Sequence, residues 1–211
     1  NIKNRILFND NEKVICLDLY RVSLIDLIGH KKGYIQSIAL TNDETFFFTT
    51  GTDTTLKKWC THPWRVISSV QLSYSGCSLF VNEGAKSILV GMGDGKVAAY
   101  STHDLCHLNT TSLHYNWVTK IVRLRLGNFV TCSHDGDIKF PYSTKKSIEV
   151  SKSWIYSIAQ LDNNSIACAC QDGLKIVQLP SFKDPCDDII DSIKSNMFSI
   201  SISTAPRKPQ L

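Results

Sequence analysis

No apolar run in this chain of 211 residues approaches the ~20 that carry a helix across a bilayer, and no secretory leader is visible. Blocks of one charge sign are missing as well. The 23 Lys and Arg against 19 Asp and Glu leave a formal charge of +4, and the basic pairs Lys31-Lys32, Lys57-Lys58 and Lys145-Lys146 are dispersed. Attraction to a phosphate backbone needs a denser stripe, so neither nucleic acid nor membrane is an expected partner. The eight cysteines contain no C-x-x-C pair, which removes the usual structural zinc spacing. Only Cys168 and Cys170 are close in sequence. Several thiols fall inside apolar stretches, where free Cys behaves as a small hydrophobe, and reduced thiols fit a cytoplasmic or nuclear protein. There is no G-x-S-x-G elbow, no P-loop, no H-E-x-x-H and no dinucleotide fingerprint. The expectation is a protein that is not an enzyme and holds neither cofactor nor metal.

What is present is short strands and tight turns. In GHKKGYIQSIALTNDETFFFTTGTDTTLKKW, residues 29–59, a hydrophobic run from Tyr34 to Leu40 is followed by a turn at residues 41–44. A second run over residues 45–50, a Gly-Thr-Asp-Thr turn and a third run ending in Trp59 complete the unit. Period-2 segments between turn residues argue for strands rather than helix. The unit recurs. Asp53, Asp94, Asp135 and Asp172 follow one another at intervals of 41, 41 and 37, in the turns GTDTT, MGDGK, SHDGD and CQDGL. A period near 40 with four short strands per unit distinguishes this array from the helical repeats of ~33–34 residues.

The array resembles the WD40-repeat family, with Gly29-His30 near the start of a unit and Trp59 near its end, although Cys60 stands where the family has Asp. The resemblance implies an all-β, WD40-type β-propeller of four-stranded antiparallel blades. Residues 1–28 read as the C-terminal half of a blade, its last two strands. Residues 29–72 form the most complete repeat, 73–109 a degenerate one, 110–150 a further repeat, 151–179 a degenerate one, and 180–211 a tail. In that tail Asp184-Pro185 suits a helix start, Ile189, Ile190, Ile193 and Met197 fall near one helix face, and residues 198–203 alternate like a strand. A ring of these units usually takes about seven, ~280 residues, so the chain reads as part of a larger propeller, with self-association through open blade edges a further expectation.

The family also implies a hydrogen-bonded chain of His, Ser or Thr, turn Asp and Trp inside a blade. Residues 29–72 carry all of it in His30, Thr49, Asp53 and Trp59. Residues 110–150 keep His114, Thr131 and Asp135, with Pro141 at the Trp position. Residues 73–109 keep only Asp94, with Val90 and Tyr100 at the Thr and Trp positions. Residues 151–179 keep Asp172, with Ser151 and Cys168 in place of His and Thr.

Recognition is the function class that remains. Aligning GYIQSIAL, NWVTKIVRL and SWIYSIAQL places Tyr34, Trp117 and Trp154 at one position, just before the first strand of their units. Large rings with a polar handle dominate binding hot spots. In propellers this position lies near the rim of the central channel, so the resemblance implies a protein or peptide partner there. Lys31, Lys32, Tyr115, Asn116, Lys152 and Ser153 would form the polar surround, and the third unit, with Gly76 near that position, interrupts the ring. The reading is a non-catalytic scaffold or adaptor within a larger complex. A phosphoinositide- or nucleic-acid-binding propeller and a purely architectural subunit are the alternatives. The Phe-Arg-Arg-Gly motif of lipid-binding propellers is absent; Arg123 and Arg125 merely alternate along a strand.

Overall fold

The computed structural model describes residues 5–10, 13–18, 23–30, 33–125, 127–141 and 147–179. The chain divides into a unit over Asn1–Gln178 and a second over Leu179–Leu211. The helix and strand expected in the tail lie outside the described residues.

Among those residues the first unit is built of antiparallel sheets taken in chain order. The first holds β1 (Arg5–Asp10), β2 (Lys13–Asp18) and β3 (Ser23–Ile28). The second holds β4 (Ile35–Leu40), β5 (Phe46–Gly51), β6 (Thr55–Thr61) and β7 (Trp64–Gln71). The third holds β8 (Gly76–Asn82), β9 (Ser87–Met92), β10 (Lys96–Ser101) and β11 (His107–Ser112). The fourth holds β12 (Val118–Arg123), β13 (Phe129–Ser133), β14 (Asp137–Lys139) and β15 (Ser147–Glu149). The fifth holds β16 (Ile155–Gln160), β17 (Ser165–Cys170) and β18 (Gly173–Gln178).

Two boundaries differ from the sequence reading. Residues 5–28 form three strands, not two; β1 packs against β4 as β5 packs against β8, so the first sheet holds the second, third and fourth places of a blade. Its apolar part, Ile6-Leu7-Phe8, is short and flanked by polar residues. In the third sheet β11 runs to Ser112, past the boundary at residue 109.

Successive sheets pack face to face, and the first strands β4, β8, β12 and β16 meet one another in order. The second strands lie between neighbours on both sides. This is why FFFTTG, SILVGM and FVTCS are buried along nearly their whole length rather than alternating. In β17 the burial lapses at Ala167 and Ala169, where no following sheet covers the face among the described residues. Leu7, Val14, Leu27, Ile35, Phe47 and Trp59 fill the space between the first and second sheets. Phe48, Leu56, Leu79, Ile88 and Tyr100 lie between the second and third, and Leu89, Val97, Val118, Ile121 and Phe129 between the third and fourth.

A bulge recurs at one place in four sheets. The ladder between first and second strand shifts at Ile35/Ser37, Gly76/Ser78, Val118/Lys120 and Ile155/Ser157. Gln36, Cys77, Thr119 and Tyr156 are therefore left without a cross-strand partner.

Candidate functional site

The polar network of the second sheet is directional. Trp59 Nε1 donates to Thr49 Oγ1 at 2.8 Å, and Thr49 Oγ1 lies 2.6 Å from His30 Nε2. His30 Nδ1 lies 2.9 Å from Asp53 Oδ2. A carboxylate only accepts, so Nδ1 carries the hydrogen, Nε2 accepts from the Thr49 hydroxyl, and the hydroxyl accepts from the indole. Burial depresses the His30 pKa against the pull of Asp53, which agrees with a neutral ring. Burial opposes ionisation of Asp53, yet hydrogen bonds from His30 and from the Thr55 hydroxyl and N–H outweigh it and hold the carboxyl below its usual range.

In the fourth sheet His114 Nδ1 lies 2.9 Å from Asp135 Oδ2, and Nε2 lies 2.9 Å from Thr131 Oγ1. Asp135 also accepts from the N–H groups of Tyr115 and Asp137. Against a burial penalty, the His114 bond and these N–H groups bring its pKa down to about 2. The two remaining turn acids take lysines. Asp94 binds Lys96 Nζ at 2.7 Å. Asp172 binds Lys175 Nζ at 2.7 Å and the Ser151 hydroxyl at 2.9 Å. Asp53 and Asp135 are thus held by their histidines, while Asp172 lines a pocket with Ser151, Lys152 and Lys175. Among the described residues no three His, Cys, Asp or Glu side chains cluster as a metal site.

The rim is a different environment. In four sheets the residue before the turn Asp donates its N–H to the carbonyl of the residue just before the first strand. Thr52 bonds Tyr34 at 2.9 Å, Gly93 bonds Ser75 at 2.9 Å, His134 bonds Trp117 at 3.1 Å and Gln171 bonds Trp154 at 2.8 Å. This bond sets a turn residue beside each rim position. In the fourth sheet the turn residue is aromatic, and it joins two sheets. The His134 ring stacks on Trp117 with centroids 5.8 Å apart and planes 11° apart, and on Trp154 at 4.7 Å and 16°. Tyr156, the bulge residue of the fifth sheet, sets its ring edge-on to both His134 (5.7 Å) and Trp154 (6.3 Å). A bulge commonly re-aims a side chain in this way. Trp117, Trp154 and Tyr156 remain 38%, 46% and 47% exposed, so the stack presents a surface. Burial lowers the His134 pKa, which favours a neutral ring within it.

At the other end of the stack Gly93 separates two rings. A Cβ there would lie 3.0 Å from Tyr74 and 3.3 Å from Trp117 Nε1, so Tyr74 brings an aromatic to the third sheet, where the sequence suggested a break at Gly76. The other residues expected at the rim are scattered. Tyr34 is 62% exposed in the second sheet, with its N–H donating to Thr52 Oγ1, and the described ring contacts of the stack do not include it. Tyr115 lies under Lys139 Nζ at 5.0 Å. Asn116 Oδ1 accepts the Trp117 N–H. Lys152 is exposed, and Lys31 and Lys32 lie outside the described residues. His134 and Tyr156 were missed by sequence reading. Tyr156 stands two places beyond Trp154, but a bulge, not alternation, sets its direction, and a bulge leaves no mark on residue identity.

No family model matches the chain, and no curated protein matches it. Solved structures do: 1459 chains match, a breadth that marks a fold rather than a function. One, in the crystal structure of a mitotic checkpoint complex, superposes with a TM-score of 0.70 at 12% identity, covering 78% of this chain and 53% of that one. The fold is that of β-propeller blades. The chain spans about half the length of the chain it matches. Among the described residues no helix is long and apolar enough to cross a membrane.

Proposed function

We propose that this chain is part of a WD40-type, non-catalytic scaffold or adaptor that captures a protein or peptide partner on the aromatic stack at its rim. The observation that carries the reading is the contiguous Trp117–His134–Trp154–Tyr156 surface, shared by two sheets and open to solvent. Rings held by their neighbours lose little freedom on binding, which is what makes aromatic anchors effective. The turn acids Asp135 and Asp172 are engaged by His114 and Lys175, so the surface offers stacking and indole N–H donors, with the exposed Lys152 two residues before Trp154. Burial raises the thiols of Cys77 and Cys132 to about 12 and that of Cys168 to about 11. Such thiols are unreactive, and no disulfide joins the described cysteines, the exposed Cys106 included, which suits a reducing cytoplasmic or nuclear setting.

The test compares affinity capture by the native chain and by a Trp117→Ala/Trp154→Ala double variant. Partners retained by the native chain should be lost from the variant while its far-UV circular dichroism is unchanged. Equal retention would remove the rim from the mechanism.

A further inference from the structure

The fourth sheet keeps the receiving half of the Trp59 arrangement without the indole. In the second sheet Phe47 stands opposite Trp59 in the ladder, and the rings stack at 5.3 Å with planes 13° apart. Thr131 pairs with Lys139 as Thr49 pairs with Lys57. That register puts Phe129 at the place of Phe47 and Pro141 at the place of Trp59. A second exchange accompanies the first. Gly29, before His30, leaves room for the indole, since a Cβ there would collide with the Trp59 ring; before His114 stands Leu113. Leucine does not refill the volume, and a cavity of about 60 Å³ remains, lined among others by Asn109, Thr111, Leu113, Phe129, Thr131 and Pro141.

We propose that this cavity is a second peptide site, in which an extended segment of a partner pairs with the outer edge of β11 and inserts one branched aliphatic side chain, Val or Leu. Three observations select that ligand. The one hydrogen of the Thr131 hydroxyl is shared between His114 Nε2 and the Lys139 carbonyl, so Thr131 has no donor to offer the cavity, and the deeper wall is aliphatic: Leu89, Val97, Ala99 and Ile121. The volume is under half of the ~150 Å³ of a cavity that takes benzene, so it encloses the two or three outer carbons of an aliphatic side chain and no whole phenyl or indole ring. Finally, β11 is the outermost strand of its sheet, exposed at all six residues. Its Asn109 and Thr111 stand at the cavity, opposite Ala99 and Val97. A strand added along β11 directs alternate side chains to that same face, which is how edge pairing supplies affinity and a pocket supplies selectivity. The site is independent of the rim and stands whether or not the rim carries a partner.

The probes are blocked pentapeptides Thr-Thr-X-Thr-Thr with X as Ala, Val, Leu or Trp, read by methyl NMR of Leu89 and Ile121 in the full chain. The Val and Leu peptides should move these resonances and bind roughly tenfold tighter than Ala, the effect of burying about two more carbons. The Trp peptide should gain nothing over Ala. Ala99→Leu, which fills the cavity from β10, should remove the preference, and Leu113→Phe does the same from the opposite side should the first variant not fold. Xenon, which enters dry apolar cavities, should shift the same methyls in the native chain and not in the filled variant. Equal affinities, no binding by any peptide, a preference that survives filling, or methyls unmoved by xenon would each overturn the site.

Discussion

The second and fourth sheets contain the same His, Thr and Asp in the same register, yet one closes the chain with Trp59 and the other with Pro141. The polar part survives the loss of the indole. The Thr131 hydroxyl reaches the Lys139 carbonyl at 3.3 Å, where Thr49 receives Trp59. What does not survive is packing: the indole seals the space against the first sheet, while the proline corner leaves a cavity toward the third. The His–Thr–Asp bonds and the Trp are therefore separable, one fixing strand to turn and the other filling the space between blades.

The largest expected effect breaks the packing half of the comparison. Trp59→Ala should destabilise the chain by about 3–5 kcal/mol, the usual range for a fully buried aromatic, in urea denaturation. Pro141→Ala removes no such ring and should cost well under half of that. Next comes the hydroxyl. Thr49→Val strands both the Trp59 N–H and the His30 Nε2, whereas Thr131→Val strands one ring nitrogen and gives up only the long 3.3 Å contact to the Lys139 carbonyl. At about 1–3 kcal/mol for each unsatisfied buried group, the first variant should lose roughly twice what the second loses; equal losses would mean that the indole bond contributes nothing.

The smallest effect is acid sensitivity. The folded pKa of Asp135 is about 2, below its ordinary value near 4. Its contribution is therefore complete above about pH 4 and is lost as pH falls toward 2, a loss of about 2 kcal/mol by linkage. Burial lowers the His30 pKa, so its contribution is complete above the ordinary histidine value of about 6.5 and declines below it. Asp135→Asn should flatten the stability curve between pH 4 and 2, and His30→Gln should flatten only the limb below pH 6.5.

Much of this comparison was legible in the chain. The turn aspartates at steps of 41, 41 and 37 fix the repeat because a tight turn tolerates few residue types. The network partners follow from it by counting. The stack was only half legible. Trp117 and Trp154 share an alignment position, but the place beside them holds Thr52, Gly93, His134 and Gln171, four residues with nothing chemical in common. Their shared geometry comes from a backbone N–H, which leaves no mark on residue identity. Strand β1 is illegible for a related reason: a three-residue apolar run, Ile6-Leu7-Phe8, carries no repeat anchor of its own. The cavity needed two distant substitutions, at Leu113 and Pro141, to be read together, and only the ladder brings them to one place.

The unpaired bulge residues have a further consequence. Gln36, Cys77, Thr119 and Tyr156 occupy one repeated place and carry an amide, a thiol, an alcohol and a phenol. Because the ladder makes no demand on them, each sheet is free to change its chemistry there without renegotiating its pairing. Thr119 uses that freedom to clip its sheet to the next through the Ile155 carbonyl at 2.7 Å, and Tyr156 uses it to edge the aromatic stack. The repeat thus carries interchangeable sockets at fixed intervals, so that one blade can acquire a new task while its neighbours go on holding the scaffold.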